Sequence, residues 1–177
     1  MSGNTLIAPI KPADITDPEL KALIDRCKAL GVPDETFPGI LAHVPSYAKA
    51  LLRALLMSHA EGGVDHRLKE IIRLQLTRRS GDPYFGALRS TVAKKAGLDE
   101  ATITAGCDDY ERSKLFSEKE KWALRYADQM YMNAASVDAD FYAGMKKHYT
   151  EAEIMELGAF IALHYGLQVF MRTLAPR

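Results

Sequence analysis

Residues 65–83, DHRLKEIIRLQLTRRSGDP, decide the fold. Asp65 is a helix-capping residue, and Leu68, Ile71, Ile72, Leu74 and Leu76 follow it at spacings that leave little of the helix circumference polar. Such a helix is central rather than superficial. Gly81 stops it. Asp82 then caps a further helix with Pro83 at its first position, where the missing N–H is not needed. That helix is expected to run to residue 96, with Gly97 as its C-cap, and to carry Tyr84 and Arg89. Glu70 stands out on the central helix, because a carboxylate in a core is costly unless it is paired or hydrogen-bonded.

The same punctuation extends in both directions. Thr16, Asp17, Pro18 and Glu19 open a helix with Leu20, Leu23, Ile24, Cys27 and Leu30 on one face, ended by Gly31 and Pro33. Residues 33–45, with Pro33, Pro38 and Pro45, read as a loop, and residues 46–60 as a helix closed by Gly62 and Gly63. A short helix follows Asp99, then a polar connector over residues 107–116. Ser117 with Glu120 and Thr150 with Glu153 are capping boxes for two later helices, and Asp138 starts one between them that ends near Tyr149. The last helix, to about residue 174, has Ile154, Leu157, Ile161 and Tyr165 as its core face, with Gly158 and Gly166 predicting close helix–helix approach. Trp122, Tyr126, Met130 and Met155 read as core. No segment alternates like a strand. The expected fold is all-α: one domain over residues 1–177, a compact bundle of seven to eight helices, with residues 1–15 as an extended N-terminal arm.

Composition narrows the function. Lys plus Arg number 23 and Asp plus Glu number 23, so the net charge is zero, and the longest basic cluster is Arg78–Arg79. That is too little for a nucleic-acid footprint. No apolar run approaches the ~20 residues of a membrane span. Residues 1–10 lack the basic and apolar regions of a signal peptide. A cytoplasmic protein with no membrane or nucleic-acid partner is expected. Cys27 and Cys107 are not in a C-x-x-C pair or at ligand spacing from a histidine, so neither a metal site nor a redox pair is read, and no cofactor is expected.

Several stretches carry a resemblance: LAHVP from Leu41, VDHRLKEIIRL from Val64, GDPYFGALR ending at Arg89, AGL ending at Leu98, SEKEKWALRYAD from Ser117 and EAEIMEL from Glu151. In this order the set resembles the carboxymuconolactone decarboxylase and alkylhydroperoxidase-like superfamily. The resemblance implies an all-α fold and a homo-oligomer, since members form dimers, trimers or hexamers. It also implies a site. The peroxidase branch has a helical Glu, then C-x-x-C at the next helix start, then a His one turn on. The Glu maps onto Glu70, the cysteines onto Asp82 and Phe85, and the His onto Arg89, with Pro83–Tyr84 kept between. A thiol at a helix N-terminus has a lowered pKa and attacks peroxide; Asp82 and Phe85 cannot. The decarboxylase branch needs no cysteine and moves protons without a cofactor, although it too usually has His where this chain has Arg89.

Three functional readings follow. In the first, the chain is a cofactor-independent lyase or decarboxylase acting on a small carboxylated substrate, with Glu70 as acid–base group and Arg89 as carboxylate clamp. Asp82, Tyr84, His43, His164 and Gln168 would complete its pocket. In the second, Glu70 and Arg89 are closed on each other as a structural pair, Asp82 is only a cap, and the chain is a non-catalytic, oligomeric small-molecule binder. The third, thiol-based peroxidase activity, is disfavoured by Asp82 and Phe85. His43 reads equally well as a loop His bonded to backbone, and His164 as a satisfied core His. His66 and His148, at helix ends, read as solvated.

Overall fold

The computed structural model describes residues 5–175. Ten α-helices follow one another, with no strand among the described residues: α1 Pro18–Leu30, α2 Thr36–Leu41, α3 Pro45–Ala60, α4 His66–Ser80, α5 Pro83–Ala87, α6 Thr91–Lys95, α7 Glu100–Asp108, α8 Glu118–Met132, α9 Ala139–Met145 and α10 Glu151–Thr173. Two short 3-10 turns lie at Pro12–Asp14 and Ala134–Ser136. The caps fall where their chemistry puts them. Asp17 and Asp65 accept backbone N–H groups at the starts of α1 and α4, and Ser117–Glu120 and Thr150–Glu153 form complete capping boxes. Gly81 ends α4 at φ 63°, a left-handed conformation that side chains disfavour.

Two boundaries depart from the sequence reading. The expected loop over residues 33–45 contains α2, since Pro38 sits in its first turn, where no N–H is missed. The single helix expected from Asp82 is two, α5 and α6, separated by extended backbone at Leu88 and capped anew by Ser90. Arg89 therefore lies in the break and not on a helix. These two changes account for ten helices where seven or eight were expected. In addition, Cys107 belongs to α7 and not to the connector, and α9 ends at Met145.

α4 is the central helix, with residues 68–77 all buried. One core cluster gathers α4, α7, α8, α9 and the first half of α10, for example Ile71, Ile103, Leu124, Met145 and Leu157. A second gathers α1, α2, α3, Phe85 and the last part of α10, for example Leu20, Phe37, Leu52 and Met171. α10 packs chiefly on α4. By length and composition α10 could cross a membrane, at mean hydropathy 1.4, which corrects the expectation that no such segment exists. Here its inner face is core. Gly158 does approach a neighbour closely, since a Cβ there would lie 2.9 Å from Tyr126 Oη, but Gly166 faces open space. Tyr165 and Met155, expected in the core, are exposed, Met155 to 70%. Of the N-terminal arm, Leu6 and Ile10 donate backbone hydrogen bonds to Leu174 and Gly39; its residues 1–4, within the stretch read for a leader, lie outside the described residues.

Candidate functional site

Glu70 and Arg73 are one helical turn apart on α4, so their side chains share a face. Both are fully buried. Arg73 Nε donates to Glu70 Oε2 at 2.8 Å and Nη2 to Oε1 at 2.7 Å, a bidentate fork. The remaining donors reach the break between α5 and α6: Nη1 to the Phe85 carbonyl at 2.7 Å and Nη2 to the Leu88 carbonyl at 2.8 Å. Glu70 Oε1 also accepts the Ser90 N–H at 2.8 Å. Burial pushes the Glu70 pKa up, but the charge and hydrogen bonds of Arg73 and the Ser90 N–H outweigh it and hold the group below its usual range. The pair is thus a staple: it satisfies the backbone groups that the break would leave bare.

The expected Glu70–Arg89 pair is not formed. Arg89 turns outward, its Nε and Nη2 donating to the Glu100 carboxylate at 2.8 and 3.0 Å and its Nη1 to the Gly86 and Leu88 carbonyls. It shares a cavity with Asp82 instead. A cavity of about 170 Å³ between α4, α5 and α7 is lined by Thr77, Arg78, Asp82, Arg89, Glu100 and Cys107, over Leu74 and Ile103. Asp82 is 3% exposed and caps α5 through the N–H groups of Tyr84 and Phe85. Burial raises its pKa, against those N–H bonds and the charges of Arg73 and Arg172. Burial likewise pushes the Cys107 thiol up to about 11 and Cys27 up to about 12, so both stay protonated at neutral pH. The two cysteines lie in different core clusters.

The other expected pocket residues are elsewhere. Tyr84 Oη donates to Asp34 at 2.5 Å and accepts the Phe37 N–H, tying α5 to α2. His43 is exposed and its Nε2 lies 2.9 Å from the Ala8 carbonyl. Gln168 Nε2 donates to the Arg73 carbonyl at 3.1 Å, under the staple. His164 is 1% exposed and its Nε2 lies 3.2 Å from Ser58 Oγ. It packs on His59, whose ring nitrogens are both buried without partners. Burial above all, with Arg73, His66 and Lys69, holds His59 well below its ordinary pKa; burial and His59 do the same to His164. His66 is not simply solvated: its ring bonds the His59 carbonyl and Ser90 Oγ. The sequence reading missed Arg73, although its i,i+3 spacing from Glu70 was visible, and it missed Thr77 and Glu100, which carried no signal.

Functionally, the cavity offers a guanidinium whose exposed carboxylate partner can be exchanged, a buried carboxyl with raised proton affinity, and a neutral thiol. Glu70 does not line this cavity; it is fully buried and accepts three hydrogen bonds from Arg73 and Ser90. No family model and no curated protein matches the chain by sequence. Solved structures match it by fold. The debrominase Bmp8, also seen as a variant in complex with 2,3,4-tribromopyrrole, is 20% identical, at TM-score 0.79 over 98% of this chain and 92% of that one. An uncharacterized peroxidase-related protein from Silicibacter sp. is 13% identical, at TM-score 0.79 over 100% and 94%. An uncharacterized peroxidase-related protein with an alkylhydroperoxidase core, from Ralstonia eutropha, is 15% identical, at TM-score 0.77 over 99% and 93%. The chain thus shares the all-α fold of these debrominase and peroxidase-related structures.

Proposed function

We propose that the chain is a cofactor-independent enzyme of lyase type acting on a small carboxylated substrate in the α4–α5–α7 cavity. Arg89 is the carboxylate clamp, and Asp82, in place of Glu70, is the acid–base group. The observation that supports this reading is that Asp82 and Arg89 line one cavity while Glu70 is sealed against Arg73. A substrate carboxylate takes the place of Glu100 on the Arg89 fork. Asp82, whose proton affinity burial raises, gives a proton to carbon as the electron pair of a breaking bond, such as the bond to a departing CO2, collects there. A proton taken up from bulk solvent then restores Asp82, balancing the one proton that the loss of CO2 consumes. A cavity of about 170 Å³ is well below the ~300–1,000 Å³ of drug-sized sites, so the substrate has fewer than about ten non-hydrogen atoms. A cytoplasmic location goes with this reading and is tested by cell fractionation.

A second reading, a non-catalytic small-molecule binder, is favoured by the conversion of Glu70 into part of the frame. Proton exchange separates the two. Small 3-oxo acids and carboxylated lactones are incubated with the protein in heavy water and followed by NMR for deuterium incorporation and CO2 loss. Turnover that Asp82→Asn abolishes supports the enzyme. Binding without exchange supports the binder. Failure of every such acid to bind overturns the assignment of the cavity.

A further inference from the structure

A groove of about 1,040 Å³ runs between α3 and the N-terminal half of α10 and shares no lining residue with the Asp82 cavity. It lies at the top of the ~300–1,000 Å³ range of small-molecule sites. Its walls are apolar: Ala54 and Met57 come from α3, and Met155, Ala159, Phe160 and Leu163 from α10. On each helix these residues recur three or four apart, so each set forms one stripe. Met57 and Met155, 53% and 70% exposed, are flexible thioethers that can adjust to a guest. The Phe160 ring is buried against His59 and His164.

The groove is polar at one end only. Glu61 lines it there as the C-cap residue of α3, together with Glu153 and Glu156, and no lysine or arginine lines it. Glu153 accepts from Lys119 at 3.0 Å, and Glu156 pairs with the buried Lys69 ammonium. Glu61 is exposed and pairs with no cation among the described residues. A helix C-terminus favours positive charge. This one already draws an ammonium, since Lys69 Nζ donates to the Ser58 and Glu61 carbonyls at 3.0 and 2.8 Å.

We propose that this groove binds a small cationic amphiphile, a primary amine carried on a long apolar body. The ammonium sits at the Glu61 carboxylate beside the end of α3, and the apolar body lies along Met57, Met155, Ala159 and Leu163. Charge selects this guest. A neutral chain of equal length gains only the burial of its apolar surface. A fatty acid brings a second carboxylate to Glu61 and finds no cation in the groove, a repulsion that excludes it. The proposal is independent of the chemistry assigned to the Asp82 cavity.

Isothermal titration of the full chain with octylamine, 1-octanol and octanoate at neutral pH and low salt tests it. Octylamine should bind about threefold to fivefold more tightly than octanol, the factor that an exposed ion pair supplies, and octanoate should bind more weakly than either. Glu61→Gln should bring octylamine down to the level of octanol and leave octanol unchanged. Ala159→Trp, which fills the groove from an exposed position, should abolish binding of all three with the helical circular dichroism retained. Failure of octylamine to bind overturns the proposal. So does octanol or octanoate binding as tightly as octylamine, or a preference for the amine that survives Glu61→Gln. A groove filled by a second copy of the chain also overturns it, and is recognised when octylamine does not bind and Ala159→Trp converts the protein to a smaller species in sedimentation velocity.

Discussion

Replacing Glu70 by Gln keeps the shape of the side chain and removes one negative charge from the staple. Arg73 then remains fully buried with no counter-charge and still holds the Phe85 and Leu88 carbonyls. Breaking one side of a buried pair costs roughly 3–5 kcal/mol. The Gln carbonyl can still accept one hydrogen bond, which puts the expected loss near the lower limit, about 3 kcal/mol, or about 6–12 °C in melting temperature for a chain of this size. Urea denaturation followed by circular dichroism at neutral pH measures it. The pH dependence gives a second check. The Glu70 pKa is lowered in the folded chain, so its contribution is present above the unfolded carboxylate value, about 4.3, and is lost as pH falls through the folded value. Arg73→Met should reverse that slope: its lone buried carboxylate has a raised pKa, and the variant should gain stability on acidification. A Glu70→Gln variant within 1 kcal/mol of wild type, but without turnover, would refute the staple and restore Glu70 as the catalytic group.

Four further outcomes are expected. Asp82→Asn should abolish any turnover while costing little stability, since Asn caps helices as well as Asp; Asp82→Ala should lose about 1 kcal/mol as well. The native protein should not reduce organic hydroperoxide with a dithiol and should react slowly with a thiol reagent, because both thiols are buried and protonated; peroxide turnover that disappears in Cys107→Ser would count against this. His59 and His164 are buried with pKa values well below 6.5; the unfolded chain therefore binds more protons below that pH, and stability should fall between about pH 7 and 5, by up to about 1.4 kcal/mol per pH unit for each histidine. His59→Phe should flatten that slope in a pH series of urea titrations. Gly144→Ala should destabilise by about 1–3 kcal/mol, since a Cβ there would lie 2.2 Å from the Trp122 ring; a melting curve unchanged from wild type would contradict that close approach.

Most of the helices were legible because their ends are written in local chemistry. Asp17, Asp65, Ser117 and Thr150 cap where expected, as capping depends on a few adjacent residues. The break between α5 and α6 was not legible. Nothing at Leu88–Arg89 forbids a helix; the break is held open by Arg73 and Glu70, which donate to and accept from its backbone across the core. The site was misread for the same reason. Glu70 was correctly singled out as needing a partner, but the partner was sought on the next helix and found on the same one. Asp82 was named as a cap and a pocket residue, and it is found both capping α5 and lining the cavity. Tyr165 and Met155 were assigned to the core, and Gly166 to a close helix approach, because hydrophobicity alone does not say whether a neighbour covers that side of the helix.

Beyond the pair itself, the hydrogen bonds of the staple go to backbone atoms: two carbonyls and one amide hydrogen. Its hydrogen bonding therefore does not use the side chains at positions 82, 85 and 89, although the Arg73 charge still acts on Asp82. The turn is thus framed from α4, while positions 82, 85 and 89 supply the groups it presents.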